Sequence, residues 1–95
     1  MLKIVAKNRL KEGSKDAVLA LLDEMIARTR EEVGCIKYEL YERVGEPNLL
    51  VFIEEWESKE SLDAHMNSEH FKRLIPQVGE YKEANDPVEV YRLIK

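Results

Sequence analysis

The stretch Phe52-Ile53-Glu54-Glu55-Trp56-Glu57-Ser58-Lys59-Glu60-Ser61-Leu62-Asp63-Ala64-His65-Met66-Asn67-Ser68-Glu69-His70-Phe71 reads as a strand running into a helix, a short break, and a second helical turn. The strand begins at Leu49. One face carries Leu49, Val51, Ile53 and Glu55; the other carries Leu50, Phe52, Glu54 and Trp56. Both faces start apolar, so the strand needs cover on each side. Ser58 stands where an N-cap belongs, and Glu60 falls in the first turn, where the helix end is positive. Leu62, His65 and Met66 fall at i, i+3 and i+4 and share one helical face. Ser68 caps a second helix with apolar positions Phe71, Leu74, Ile75 and Val78, which Pro76 is expected to kink or end.

Upstream, Leu2 to Leu10 alternates as a strand, with Leu2, Ile4, Ala6, Asn8 and Leu10 on one face. The Asn8 amide interrupts that face and must find backbone partners or a ligand. Glu12-Gly13 turns the chain and Ser14 caps a helix whose stripe is Val18, Leu21, Leu22, Met25, Ile26, Thr29 and Val33. Gly34 stands at its C′ position. Cys35 follows the negative end of that helix, which raises a thiol pKa and favours a packing role over a nucleophilic one. Ile36 to Val44 forms a second strand, and Gly45-Glu46-Pro47-Asn48 connects it as a hairpin to the Leu49–Trp56 strand. Downstream, Glu80–Asp86 is polar, and Val88 to Ile94 is the last strand. The order is β-α-β-β-α-β, an α+β ferredoxin-like pattern with both helices on one face of a four-stranded antiparallel sheet. The other face, apolar on the third and last strands, is an association surface and implies a twofold homodimer.

Residues 1–95 make a single domain. So short a chain is marginal alone, and one cysteine allows no intrachain disulfide, which again favours association. The net charge of −4 and scattered basic residues argue against a nucleic-acid partner. The apolar runs are too short to span a membrane, and the N-terminus reads as a strand rather than a signal peptide, so the expected location is cytoplasmic. No GxGxxG or phosphate-loop pattern supports a nucleotide cofactor. His65 and His70 are not an i, i+4 pair, and no HExxH or cysteine cluster is present, so no metal is expected; a site built with Glu69 is the weaker reading. No nucleophile elbow supports Ser-His-Asp catalysis.

What remains is a space between sheet and helices. The Trp56 face of the strand looks toward the Leu62–Met66 face of the helix, which places His65 beside Trp56. Glu54 and Met66 share those faces, Tyr38, Phe52 and Phe71 supply an apolar wall, and Asn8 an amide. A flat organic ligand fits that composition.

Glu55-Trp56, Leu62, Ala64-His65, Ser68, His70 and Phe71 resemble the segment that marks the antibiotic biosynthesis monooxygenase domain. The resemblance extends from Ile4 to about Ile94, including Ala6-Lys7-Asn8-Arg9-Leu10, Gly34-Cys35 and Val88-Glu89-Val90-Tyr91. It implies a dimeric α+β barrel, and an oxygenase that uses O₂ on a phenol, quinol or similar electron-rich aromatic without a cofactor. His65 is then the natural base, Asn8 a hydrogen-bond donor to the substrate oxygen, and Trp56 a stacking surface. Tyr38, Phe52, Glu54, Met66 and Phe71 bind substrate, and His70 is an exposed or capping residue. A related haem-degrading branch also uses positions matching Asn8 and Trp56, but Ile75 stands where it carries its iron ligand, and isoleucine cannot bind iron. The alternatives are an isomerase or related enolising enzyme on a small carbonyl or phosphorylated metabolite, and a non-catalytic ligand-binding dimer.

Overall fold

A computed structural model describes residues 1–95. Strand β1 (Leu2–Leu10) leads to helix α1 (Lys15–Thr29), then strands β2 (Cys35–Arg43) and β3 (Glu46–Trp56). Helices α2 (Lys59–Met66) and α3 (Glu69–Gly79) follow, then β4 (Lys82–Ala84) and β5 (Glu89–Arg92). The sheet is antiparallel, in the order β2-β3-β1, with both β4 and β5 paired to the far side of β1. This is the ferredoxin-like α+β architecture expected, with its last strand split in two. The polar Glu80–Asp86 segment supplies β4, and the chain beyond Arg92 leaves the ladder.

Burial follows the alternation read from β3. Leu50, Phe52, Glu54 and Trp56 are buried under the helices, with Ile4 and Leu10 of β1 and Tyr38 of β2 beside them. From above come Val18, Leu22 and Met25 of α1, Leu62 of α2, and Leu74 and Val78 of α3. Each such aliphatic side chain contributes about 1.5–3 kcal/mol on leaving water. The opposite face is less bare than expected. Register puts Val5, Val51, Ile53, Tyr41 and Tyr91 there, but interleaved with Lys3, Lys7, Glu39 and Glu55.

Three boundaries differ from the sequence reading. Helix α1 ends at Thr29, and Val33 is 91 % exposed, so the apolar stripe ran one turn past the point where the chain leaves the sheet. The hairpin turns on Val44-Gly45 alone, with Gly45 at φ +87°, so Glu46, Pro47 and Asn48 belong to β3. Pro76 neither ends nor shortens α3, which continues to Gly79.

The caps of the α2–α3 segment form as expected. Ser58 and Ser61 make a reciprocal capping box at the start of α2. The Ser68 hydroxyl accepts from the Phe71 amide at 3.3 Å and donates to the His65 carbonyl at 2.6 Å. The break between the helices is therefore held by one hydroxyl bonded to both sides.

Candidate active site

A cavity of about 130 Å³ lies between the sheet and the helices. A cavity of about 150 Å³ accommodates benzene, so this one suits a single ring. Phe52 and Glu54 of β3, Tyr38 of β2 and Asn8 of β1 line one side; Leu62, His65 and Met66 of α2 and Phe71 and Ile75 of α3 line the other. Most of the lining is hydrophobic. Lys82 and Asp86, from the connection around β4, bring charge to its edge.

His65 is the polar centre of the wall. Its ring is 2 % exposed and packed in an aromatic box, with the Trp56 centroid at 4.7 Å, Phe71 at 5.0 Å and Tyr38 at 5.5 Å. Nδ1 lies 2.7 Å from Glu32 Oε2. A carboxylate can only accept, so the proton belongs on Nδ1. Nε2 is the nitrogen left for a guest. Burial pushes the His65 pKa below its ordinary value, against the opposing pull of Glu32. The ring is therefore neutral at pH 7, with its lone pair on Nε2.

The same carboxylate oxygen accepts a second imidazole, His70 Nε2, at 2.8 Å. The His70 side chain is 12 % exposed, so it is a largely buried partner of Glu32 rather than an exposed residue. Glu32 comes from the loop between α1 and β2, and Gly34 fixes that loop in place. Gly34 has φ +87°, and a Cβ there would lie 2.4 Å from Ser61 Cβ. Its carbonyl accepts from the Glu57 amide at 2.9 Å. Only glycine allows the loop to lie this close to α2. No periodicity points to Glu32, which reads as one of several charges at a helix end. The one sequence signal is its position two residues before a glycine that has to pack closely.

Glu54 is the second titratable group of the cavity, 5 % exposed. Burial pushes its pKa up to about 7; the Trp56 indole N–H, donating to it at 2.9 Å, works against this, and the Glu32 charge adds to it. Near neutrality Glu54 is thus present in both charged and protonated forms. Burial also raises the Tyr38 phenol, with Glu54 adding to the effect, so Tyr38 stays protonated. Cys35 is half-buried, and burial raises its thiol first, with Glu32 and Glu54 adding, in keeping with a packing role.

Trp56 departs from its expected place. It is fully buried beneath His65 and does not line the cavity, so it cannot stack on a guest. Its indole serves as a floor for the imidazole and a donor to Glu54. Asn8 does line the cavity, and its Nδ2 donates to the Ala6 carbonyl at 3.2 Å, a local bond that occupies part of its capacity. Met66 lines the cavity although it is 42 % exposed, which puts it at the rim. Tyr38, Phe52, Glu54 and Phe71 all line it as expected, and Phe71 also packs on His65. Ile75, the position of the haem branch's ligand, presents only hydrocarbon.

Comparison with known proteins agrees with this architecture. The family profile described as "Antibiotic biosynthesis monooxygenase" matches residues 1–77. The protein named "Putative monooxygenase Rv0793", from Mycobacterium tuberculosis, is 39 % identical over 77 residues, covering 81 % of this chain and 75 % of that protein. The solved structure of Rv0793 superposes with a TM-score of 0.91 at 34 % identity, over 99 % of this chain and 95 % of that one. "Putative monooxygenase YcnE" from Bacillus subtilis is 27 % identical over 92 residues, 97 % of this chain and 95 % of that protein. A crystal structure described as an antibiotic biosynthesis monooxygenase covers both chains completely, with a TM-score of 0.95 and 35 % identity. With the shared fold, the matched profile and these relatives together, the chain belongs to the antibiotic biosynthesis monooxygenase family.

Proposed function

We propose that this protein is a cofactor-independent monooxygenase acting on a single-ring quinol, phenol or similar electron-rich aromatic with O₂. The observation that carries this reading is the His65 imidazole, neutral and held through Nδ1 by Glu32, in the wall of a mainly apolar cavity the size of one ring. Ground-state O₂ reacts poorly with closed-shell molecules, whereas a phenolate can give it one electron. The protein's task is then to bind the ring, remove its proton and exclude water.

The steps balance without an outside reductant. The phenolic proton passes to His65 Nε2. The phenolate transfers one electron to O₂, and the phenoxyl and superoxide radicals join in a new C–O bond at a ring carbon. The peroxide takes up a proton, its O–O bond breaks, and water leaves with the second oxygen. A phenol thereby becomes a quinone, and a hydroquinone a hydroxyquinone. In this scheme protonated Glu54, buried in the same wall, donates toward the departing oxygen, and Asn8 hydrogen-bonds the substrate oxygen.

The enolising isomerase reading would gain from several basic groups converging on the mouth. Lys7 and Lys82 line the cavity and neither is in an ion pair, while Arg9 nearby is held by Asp86 at 2.9 Å. Two amines give that reading a foothold, short of the cluster of basic groups that a phosphorylated substrate calls for.

We propose in addition that two copies pair through the open sheet face. Tyr41 and Tyr91 are each 50 % exposed there. Sedimentation across a dilution series should give twice the chain mass; a monomer throughout would remove the pairing.

The function is tested with chelator-treated protein and a hydroquinone panel, following O₂ uptake. Uptake should occur, and His65→Ala should lower kcat/KM by about 100-fold or more. Uptake unchanged when His65→Ala and Asn8→Ala are combined would eliminate this site.

A further inference from the structure

We propose that Glu32, His65 and His70 form a binding site for one divalent transition-metal ion, and that the ion, by taking Nδ1 of His65, switches off the base. The switch rests on the functional reading above; the site does not.

The three residues come from separate segments: the α1–β2 loop, the last turn of α2 and the first turn of α3. Each offers one ligand atom, and all three atoms lie within 4.8 Å of one another. On a continuous helix His65 and His70 would diverge by about 140°. The break at Asn67-Ser68 cancels that divergence and brings the ring centroids to 6.2 Å. His70 and Glu32 are slightly exposed, at 12 % and 15 %, so an ion has a route in from their side.

Two imidazoles and one carboxylate suit zinc, cobalt, nickel or ferrous iron. Magnesium and calcium prefer an all-oxygen set and would be passed over. Metal–nitrogen bonds of about 2.0–2.1 Å in a tetrahedral site hold ligand atoms about 3.3 Å apart. The carboxylate is now 2.7 and 2.8 Å from the two nitrogens and would withdraw by about half an ångström. Its loop lies outside any helix or strand. Three protein ligands leave a position for water.

The proton accounting gives the consequence. Both rings now donate to Glu32 from the nitrogen nearest it. A metal takes those nitrogens, so the proton on each must move, and for His65 it moves to Nε2. His65 then presents Nε2–H to the cavity and can no longer accept a phenolic proton. No electron moves.

The test titrates cobalt(II) chloride into the full chain after chelator dialysis, followed by visible absorption and calorimetry. We expect one saturable equivalent with d–d bands of low coordination number, displaced by zinc(II) and not by magnesium. His70→Ala, at a partly exposed position, should weaken binding about 100-fold while circular dichroism stays native; Glu32→Gln should do the same. Absence of saturable binding, or binding unchanged in His70→Ala, overturns the site. In the second arm, zinc(II) should abolish O₂ uptake at one equivalent and a chelator restore it. Uptake that persists in the loaded protein overturns the switch. Cobalt binding in a protein that shows no uptake at all supports the site while removing the functional reading.

Discussion

Two clusters join the α1 side of the molecule to α3, and they do different work. On the surface, Glu24 of α1 binds Arg28 and Arg73, and Arg73 also bonds Glu69 at 2.7 Å. In the interior, Glu32 binds His65 and His70. In each a glutamate accepts from two nitrogen groups. The outer cluster holds the Glu24 carboxyl down to about 2 and raises the Arg73 guanidinium, but no group there changes charge near neutral pH. The inner one is shielded from water and uses the only side chain type whose ordinary pKa lies near 7, so its hydrogen bonds decide which nitrogen carries the proton. The same kind of pairing gives a fastening in solvent and an imidazole of fixed tautomer in the interior.

The largest expected difference is between removing the two glutamates. Glu32→Gln should lower kcat/KM for a hydroquinone by about 100-fold, because an amide can donate to Nδ1 and reverse the tautomer. O₂ uptake kinetics would show it, and a loss smaller than twofold would count against a part for the Glu32–His65 bond.

Next in size is the response to pH. The Glu54 pKa in the folded state, about 7, lies above its ordinary 4.5. Its contribution to stability is therefore fully present below about 4.5 and lost as pH rises through about 7, by up to about 3 kcal/mol. His65 acts the other way: its lowered pKa gives stability that is present above its ordinary value and lost as pH falls through the lowered one. Denaturant unfolding at a series of pH values should show a decline between about pH 4.5 and 7 that Glu54→Gln removes. A decline identical in the variant would mean Glu54 titrates normally.

The smallest effect belongs to the surface cluster. Arg73→Ala should lower stability only slightly, less at high salt, and leave O₂ uptake intact. A loss of several kcal/mol in thermal or chemical unfolding would show that the outer cluster is more than a fastening.

The fold and half of the site were legible in the sequence for one reason: periodicity reports which face is buried. Strand β3, the Ser58 and Ser68 caps and the placement of His65 toward Tyr38, Phe52 and Phe71 all follow from local spacing. Glu32 did not, because its role comes from a loop packed against α2, and loop packing leaves no period. The role of Trp56 as a floor was also hidden, although Glu54 lines the cavity as expected. Alternation puts both under the helices, but only side-chain length and the indole–carboxylate bond decide that Glu54 reaches the cavity and Trp56 becomes its floor. Pro76 does not end α3, because packing of Leu74 and Val78 against the core outweighs the lost backbone bond.

The most direct test of the central claim is the tautomer of His65, read by ¹⁵N NMR of the metal-free protein at pH 7. The account predicts a protonated Nδ1 and an unprotonated Nε2, with Nδ1 losing that preference in Glu32→Gln. A proton on Nε2, or an imidazolium, would contradict it.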